Sequence, residues 1–313
     1  MDWLRLIRWR NLLIVLITQF LVWYCLIYSS SNYLGFLSVV YFMPLAYSTL
    51  MITAAGYIIN DYFDIKIDVI NRPEKVTLGK KIPLRKAILA HVFLNIGGLL
   101  IAAIVALEQH HLEWLWVQAL SITLLWFYST HFKKQFFIGN IVVALLTAMS
   151  IIVLVVYDPS LGMHYKLMYY LQPQPPIKAE WMCYGFAFFA FMLTLMREIV
   201  KDMEDFKGDA EEGCVTMPIQ KGLDFSAKAV KGIGFIALLS LGYFSIYFIK
   251  TGLIALGTYT LLFIILPLIA WCFYLSKKNT TLHYHSASKW LKIIMLLGIS
   301  SLIIYNLSLK HIL

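Results

Sequence analysis

Charge is what this chain has least of. Only 14% of its 313 residues are Asp, Glu, Lys or Arg, against 60% hydrophobic residues and a mean hydropathy of +0.75. So apolar a polypeptide, with so few polar linkers, is excluded from the soluble globular class and reads as an integral membrane protein. Cysteine is scarce as well. Cys25, Cys183, Cys214 and Cys272 lie far apart, three of them within predicted helices, which argues against a disulfide framework or a thiolate metal site and leaves packing as their role. No small-residue cleavage site follows the first apolar run, so that run is expected to be a membrane span and not a removed leader.

Apolar runs long enough to cross a hydrocarbon core lie near residues 11–28, 36–59, 86–107, 113–130, 138–156, 181–200, 232–249, 253–274 and 290–308. The expected fold class is therefore all-α: a polytopic bundle of nine transmembrane helices forming one domain over residues 1–313. Basic residues test this count, because they collect in alternate, cytoplasmic loops. Of the 26 Lys and Arg, 22 fall at the N-terminus or in segments 60–86, 131–137, 197–231 and 275–292. All share the parity of a cytoplasmic N-terminus and an outer C-terminus. The proline-rich segment 157–180 falls on the opposite side and is expected to be a connector. His110, His111, His283 and His285 are expected to be solvated loop residues.

Acidic residues are rarer than basic ones, 17 against 26, yet six of them are arranged in two matching patterns. After one apolar run come Asp61, Asp64 and Asp68, and after another come Asp202, Asp205 and Asp209, each set at i, i+3 and i+7. On a helix of about 100° per residue each set forms one stripe. Stacked carboxylates repel one another, which is poorly tolerated beside a bilayer unless cations compensate. Oxygen-only ligands suit a hard divalent ion, and magnesium commonly combines a few carboxylates with substrate phosphate oxygens. The pattern thus points to Mg2+ and a diphosphate substrate, with both stripes on the cytoplasmic face.

Several polar residues stand near these stripes in the sequence. Asn60 precedes the first; Pro73 is expected to end the helical run after it, and Arg72 and Lys75 to bring positive charge back toward the carboxylates. Arg72 is expected to contact phosphate, whereas Lys80 and Lys81 satisfy the positive-inside bias. Tyr128, Lys133 and Lys134 close the fourth span, with one of the two lysines a candidate for diphosphate neutralisation, and Asn140 opens the fifth. Arg197 and Lys201 share a turn with Glu198 and Asp202, which leaves a phosphate clamp and a structural ion pair both open. Gly208, Gly213 and Pro218 are expected to break the helix past the second stripe. The N-terminal ten residues read as an interfacial anchor, and Asn11 as a polar side chain able to face the site.

These residues resemble the UbiA-type membrane prenyltransferases. The likeness rests on Asn60-Asp61-x-x-Asp64-x-x-x-Asp68, Asp202-x-x-Asp205-x-x-x-Asp209, Asn71-Arg72-Pro73, Tyr128-Ser129, Lys133-Lys134 and Gly139-Asn140, and it runs over most of the chain. It implies a nine-helix fold, an allylic prenyl diphosphate donor bridged by Mg2+ between the six aspartates, and a lipophilic acceptor drawn from the membrane, with no nucleic acid among the partners. The stretch from Arg197 to Pro218 is most similar to the branch of that family that prenylates geranylgeranylglyceryl phosphate. An aromatic acceptor for a quinone or pigment is the alternative within the family. An ion-coupled transporter is the alternative outside it, although such carriers usually place ionisable groups near the bilayer midplane and not at one rim.

Overall fold

The computed structural model describes residues 2–28, 37–66, 69, 77–158, 161, 178–275 and 280–309. Within them the regular structure is helical, and the only β contact is an isolated bridge between Leu78 and Ile82. Apolar runs become helices here because a helix alone satisfies every backbone donor and acceptor within its own segment, which hydrocarbon demands. In chain order the helices are α1 (Asp2–Leu6), α2 (Trp9–Val22, continued by a π turn, Trp23–Tyr28), α3 (Val39–Phe63), α4 (Leu84–Glu108), α5 (Trp116–Thr130) and α6 (Ile138–Val156). There follow α7 (Ala179–Glu204), the short α8 (Phe206–Glu211) and α9 (Met217–Lys221), then α10 (Leu223–Lys250), α11 (Ile254–Tyr259), α12 (Leu266–Tyr274) and α13 (Thr281–Leu309). A π segment, Thr260–Ile265, joins α11 to α12 in one rod.

Eight helical rods among the described residues are long and apolar enough to cross a membrane: Trp9–Tyr28, α3, α4, α6, α7, α10, Ile254–Tyr274 and α13. The fourth expected span is helical too, but α5 is only 15 residues long and is preceded by a 3-10 turn, Leu112–Leu115. The last helix starts at Thr281, earlier than the apolar run near 290–308 suggests. That moves His283 and His285 out of a solvated loop. His283 is buried, and His285 Nδ1 lies 2.8 Å from Glu204 Oε1.

Helix α3 packs on α4 and α5, and α7 on α6, α10 and α13. Small residues permit the close approaches. A Cβ at Gly98 would meet the Ser48 carbonyl at 3.1 Å, and the Ser48 hydroxyl donates to the Gly98 carbonyl at 2.6 Å. Buried Gln19 ties three helices together, donating to the Ser150 carbonyl at 2.8 Å and to the Thr49 hydroxyl at 3.2 Å. One apolar cluster gathers the π turn of the first rod with α6, the start of α7 and the end of α13. A second joins the latter half of α7 to α10, α12 and the start of α13. The cavity lies between these packed regions.

Candidate active site

Both acidic segments open onto the same cavity, of about 1050 Å3, whose described lining includes Asp61, Asp64, Asp202, Asp205 and Asp209. Asp68, Arg72 and Lys75 lie outside the described residues. Neither set is carried on one continuous helix. α3 ends at Phe63 with Asp64 as its cap (φ −88°, ψ 0°), and α7 ends at Glu204 with Asp205 as its cap (φ −90°, ψ 9°). Each helix therefore stops at the middle aspartate of its set. On the second segment this precedes the expected break: Gly208 lies within α8, Gly213 forms the next turn at φ +68°, and Pro218 sits in the first turn of α9.

Three of these carboxylates are met by a specific donor. Asp64, nearly buried, accepts from Asn60 Nδ2 at 2.7 Å and pairs with Lys133. Asp61 pairs with Arg8 at 2.7 Å, and Asp202 accepts from Asn140 Nδ2 at 2.7 Å. Burial pushes the Asp209 carboxyl up to about 6, with Asp205 and Asp64 raising it further and Lys133 opposing. Burial also lifts the Cys214 thiol in the cavity wall to about 11, so it stays protonated at neutral pH.

Of the two candidate lysines the structure brings Lys133 to the cavity. The Lys134 side chain does not line it; instead the Lys134 carbonyl accepts from the Val215 backbone N–H at 2.8 Å. Lys133 is placed by a tight corner. Phe137 adopts left-handed backbone (φ 61°) ahead of α6, and at Gly139 any Cβ would come within 2.8 Å of the Phe132 carbonyl and 3.1 Å of Lys133 Cα. Glycine here is a requirement of contact. Tyr128 and Asn11 line the cavity, while Asn140 reaches it only through Asp202. Arg197 and Lys201 also line it, and both bind Glu198, at 2.9 and 2.8 Å.

Sequence reasoning passed over Arg8, Tyr57 and Lys292, all of which line this cavity. Arg8 joins α1 to α2 in left-handed backbone (φ 51°, ψ 51°), a conformation that disfavours any residue with a Cβ by about 1–2 kcal/mol. The turn sets its guanidinium on Asp61 and 4.9 Å from the centre of the Tyr57 ring. Burial works against the Arg8 charge, but the Asp61 carboxylate more than offsets it and holds the group protonated above its usual range. In the sequence Arg8 is indistinguishable from an ordinary flanking charge. Lys292 carried one available signal: it falls inside the last apolar run.

Among the described residues no three His, Cys, Asp or Glu side chains gather closely enough to hold a metal ion unaided. The donors nonetheless suit a hydrated magnesium ion. They are all oxygen, and the Asn60 carbonyl oxygen is buried without a hydrogen-bond partner while its amide binds Asp64. One or two carboxylates from each segment, completed by water and phosphate oxygens, make a magnesium site of the usual composition.

Away from this charged end the lining is mainly apolar, with Val15, Leu125, Leu146, Phe186, Phe189 and Leu302 among its walls and Gln118, Ser121, Thr147 and Ser150 set between them. A rim of opposed charges over an apolar chamber, inside a helical membrane bundle, is the layout of an enzyme that works on anionic amphiphiles. The chain belongs to the UbiA prenyltransferase family, whose model matches residues 15–299. It is 31% identical to a digeranylgeranylglyceryl phosphate synthase of Methanosphaera stadtmanae over 80% of this chain and 82% of the other. A second relative of that name, from Saccharolobus solfataricus, is 30% identical over 82% of each. Among solved structures, one of a digeranylgeranylglyceryl phosphate synthase superposes with a TM-score of 0.66 at 24% identity, covering 98% of both chains. A UbiA homologue from Archaeoglobus fulgidus bound to DMAPP and Mg2+ superposes with a TM-score of 0.59 at 17% identity, covering 100% of both. The protein is thus an integral membrane prenyltransferase.

Proposed function

We propose that this prenyltransferase moves a prenyl group from an allylic prenyl diphosphate to the hydroxyl of a glycerol-phosphate ether lipid, with Mg2+ as cofactor. The observation that carries the reading is the convergence of two acidic segments, with Lys133 between them, on one end of an apolar cavity. The relatives named digeranylgeranylglyceryl phosphate synthase support the acceptor, and the neighbouring fold bound to DMAPP and Mg2+ supports the donor and the ion.

Asp61, Asp64 and Asp68 on one side and Asp202, Asp205 and Asp209 on the other would hold the ions, which when bound neutralise the diphosphate and make it a better leaving group. Asn60 and Asn140 hold Asp64 and Asp202 in orientation through their amides. Lys133, already at Asp64, offers positive charge where the departing oxygens gather, and Arg72, Lys75, Arg197 and Lys201 add to it. As the allylic C–O bond breaks, its electron pair stays with the diphosphate. The acceptor oxygen then bonds to the allylic carbon, and its proton passes to the released diphosphate. The apolar walls keep water from capturing the cation first.

The same reading includes a single domain over residues 1–313 and nine spans, with α5 the shortest. It places the acidic segments and the N-terminus in the cytoplasm and the C-terminus outside. The 22 of 26 basic residues on one side support that orientation.

A competition assay tests the acceptor. Purified protein receives geranylgeranyl diphosphate together with geranylgeranylglyceryl phosphate, 4-hydroxybenzoate, homogentisate and dihydroxynaphthoate, and the products are identified by mass. Formation of the ether lipid is expected. A prenylated aromatic acid with no ether lipid would overturn the acceptor and move the enzyme to quinone or pigment synthesis.

A further inference from the structure

Lys292 has no place in the diphosphate site just described. It lies in the twelfth position of α13, a membrane-spanning helix, and faces the cavity. Among the described residues no carboxylate pairs with it. Its hydrogen bond is to a neutral amide, Asn11 Oδ1, at 2.7 Å. An ammonium in a membrane helix is costly and marks a binding function unless an anion answers it. A second cation of the same cavity is also incompletely satisfied: Arg197 spends Nη1 on Glu198, but its Nε is buried with no partner. Around the whole cavity eight basic side chains face six carboxylates in the described lining, a surplus of two positive charges.

What lies below these polar groups specifies the ligand further. On α13 the cavity-lining positions after Lys292 are Met295, Leu296, Gly298, Ile299 and Leu302, at i+3, i+4, i+6, i+7 and i+10. On α2 those after Asn11 are Ile14, Val15, Thr18 and Val22, at i+3, i+4, i+7 and i+11. Each spacing is a single helical stripe. Both stripes begin with a polar head and continue almost wholly apolar, and α2 and α13 pack against each other. Two facing stripes of this kind match an amphiphile whose anionic head sits at Lys292 and whose hydrocarbon runs along the helices.

The geometry points to a second anion site, formed by Lys292 and Asn11 at the α2–α13 crevice, that binds the phosphate monoester of the acceptor lipid separately from the donor diphosphate. This rests on the acceptor being a phosphorylated amphiphile, as proposed above. The site would make Lys292 a specificity residue: it selects phosphorylated acceptors by contact with the phosphate and leaves donor ionisation to the opposite wall.

The test uses the purified full chain in lipid nanodiscs with magnesium and geranylgeranyl diphosphate. The acceptor is either geranylgeranylglyceryl phosphate or its phosphate-free counterpart, geranylgeranylglycerol. Lys292→Met should raise KM for the phosphorylated acceptor about tenfold or more, leave KM for the donor unchanged, and leave kcat/KM for the phosphate-free acceptor unchanged. Lys292→Arg should retain the preference for phosphate. If Lys292→Met does not fold, Asn11→Asp, which gives the ammonium a carboxylate partner, should show the same selective rise. An equal loss on both acceptors, or a shift confined to the donor, overturns the second site. If the unaltered enzyme prenylates neither glycerol lipid, the proposed acceptor fails instead, and the two failures are distinguishable.

Discussion

Replacing Asp64 by Asn should separate the chemistry of the site from its contribution to folding. The side chain is 6% exposed and has two identified donors, the Asn60 amide at 2.7 Å and the Lys133 ammonium. Asparagine keeps the volume and one oxygen but removes the charge. Hydrogen bonds to a charged group are worth about 1.5–3 kcal/mol. Lys133, however, keeps 27% of its side chain exposed and can turn to water, so the net loss of stability should be about 1–2 kcal/mol. Turnover should fall much further, at least about a hundredfold, equivalent to about 2.7 kcal/mol of transition-state stabilisation. The two losses are separable by a second change. Adding Lys133→Met to Asp64→Asn removes both members of the pair, so Tm should recover toward the unaltered value while turnover does not. The assay is prenyl transfer across a magnesium titration, beside thermal unfolding in the same detergent. Near-normal turnover of Asp64→Asn at limiting magnesium would refute the ligand role. A loss of turnover that disappears when Tm recovers would reduce Asp64 to a structural residue.

The other predictions concern proton uptake, packing and orientation. Because burial raises the Asp209 carboxyl to about 6, above an unfolded value near 3.9, the folded metal-free protein holds this proton the more tightly. The contribution of Asp209 to stability should therefore be greatest at low pH and be lost as pH rises to about 6, with magnesium or Asp209→Asn removing that component of the thermal-unfolding profile. Gly139→Ala would drive a methyl into the Phe132 carbonyl at 2.8 Å and displace the turn carrying Lys133, so KM for the prenyl diphosphate should rise; steady-state kinetics check this, and an unchanged KM counts against Lys133. Single cysteines at Lys207 and Lys250 should be labelled from opposite sides of sealed membranes. Labelling of both from one side would dismantle the proposed orientation.

The helices were legible because hydrocarbon imposes a minimum length on each apolar run, and the acidic sets because their spacing repeats at i, i+3 and i+7. The breaks at Asp64 and Asp205 were not. Neither position holds Gly or Pro, and Asp64 is fixed in place by Asn60 and Lys133, the latter distant in sequence. The start of α13 was missed for a related reason. Thr281, His283, His285 and Ser288 look like loop residues in isolation, but His283 and Ser288 are buried and His285 meets Glu204. Arg8 and Lys292 were hidden by the positive-inside bias, which predicts basic residues at those places whether or not they touch anything. Only the contacts with Asp61 and Asn11 distinguish them.

The hydrogen bond from the Val215 N–H to the Lys134 carbonyl joins the segment that carries Lys133 to the one that carries Asp209. Being made by main chain alone, it is indifferent to which side chains occupy positions 134 and 215, so variation there leaves the tie intact and comparison of side chains would not reveal it. Proline is the exception, since at 215 it would remove the donor. Two stretches of chain some eighty residues apart thus have a mechanical link at the rim of the cavity. Ordering one of them around a ligand restrains the other, and the positions of Lys133 and Asp209 are coupled through the backbone as well as through charge.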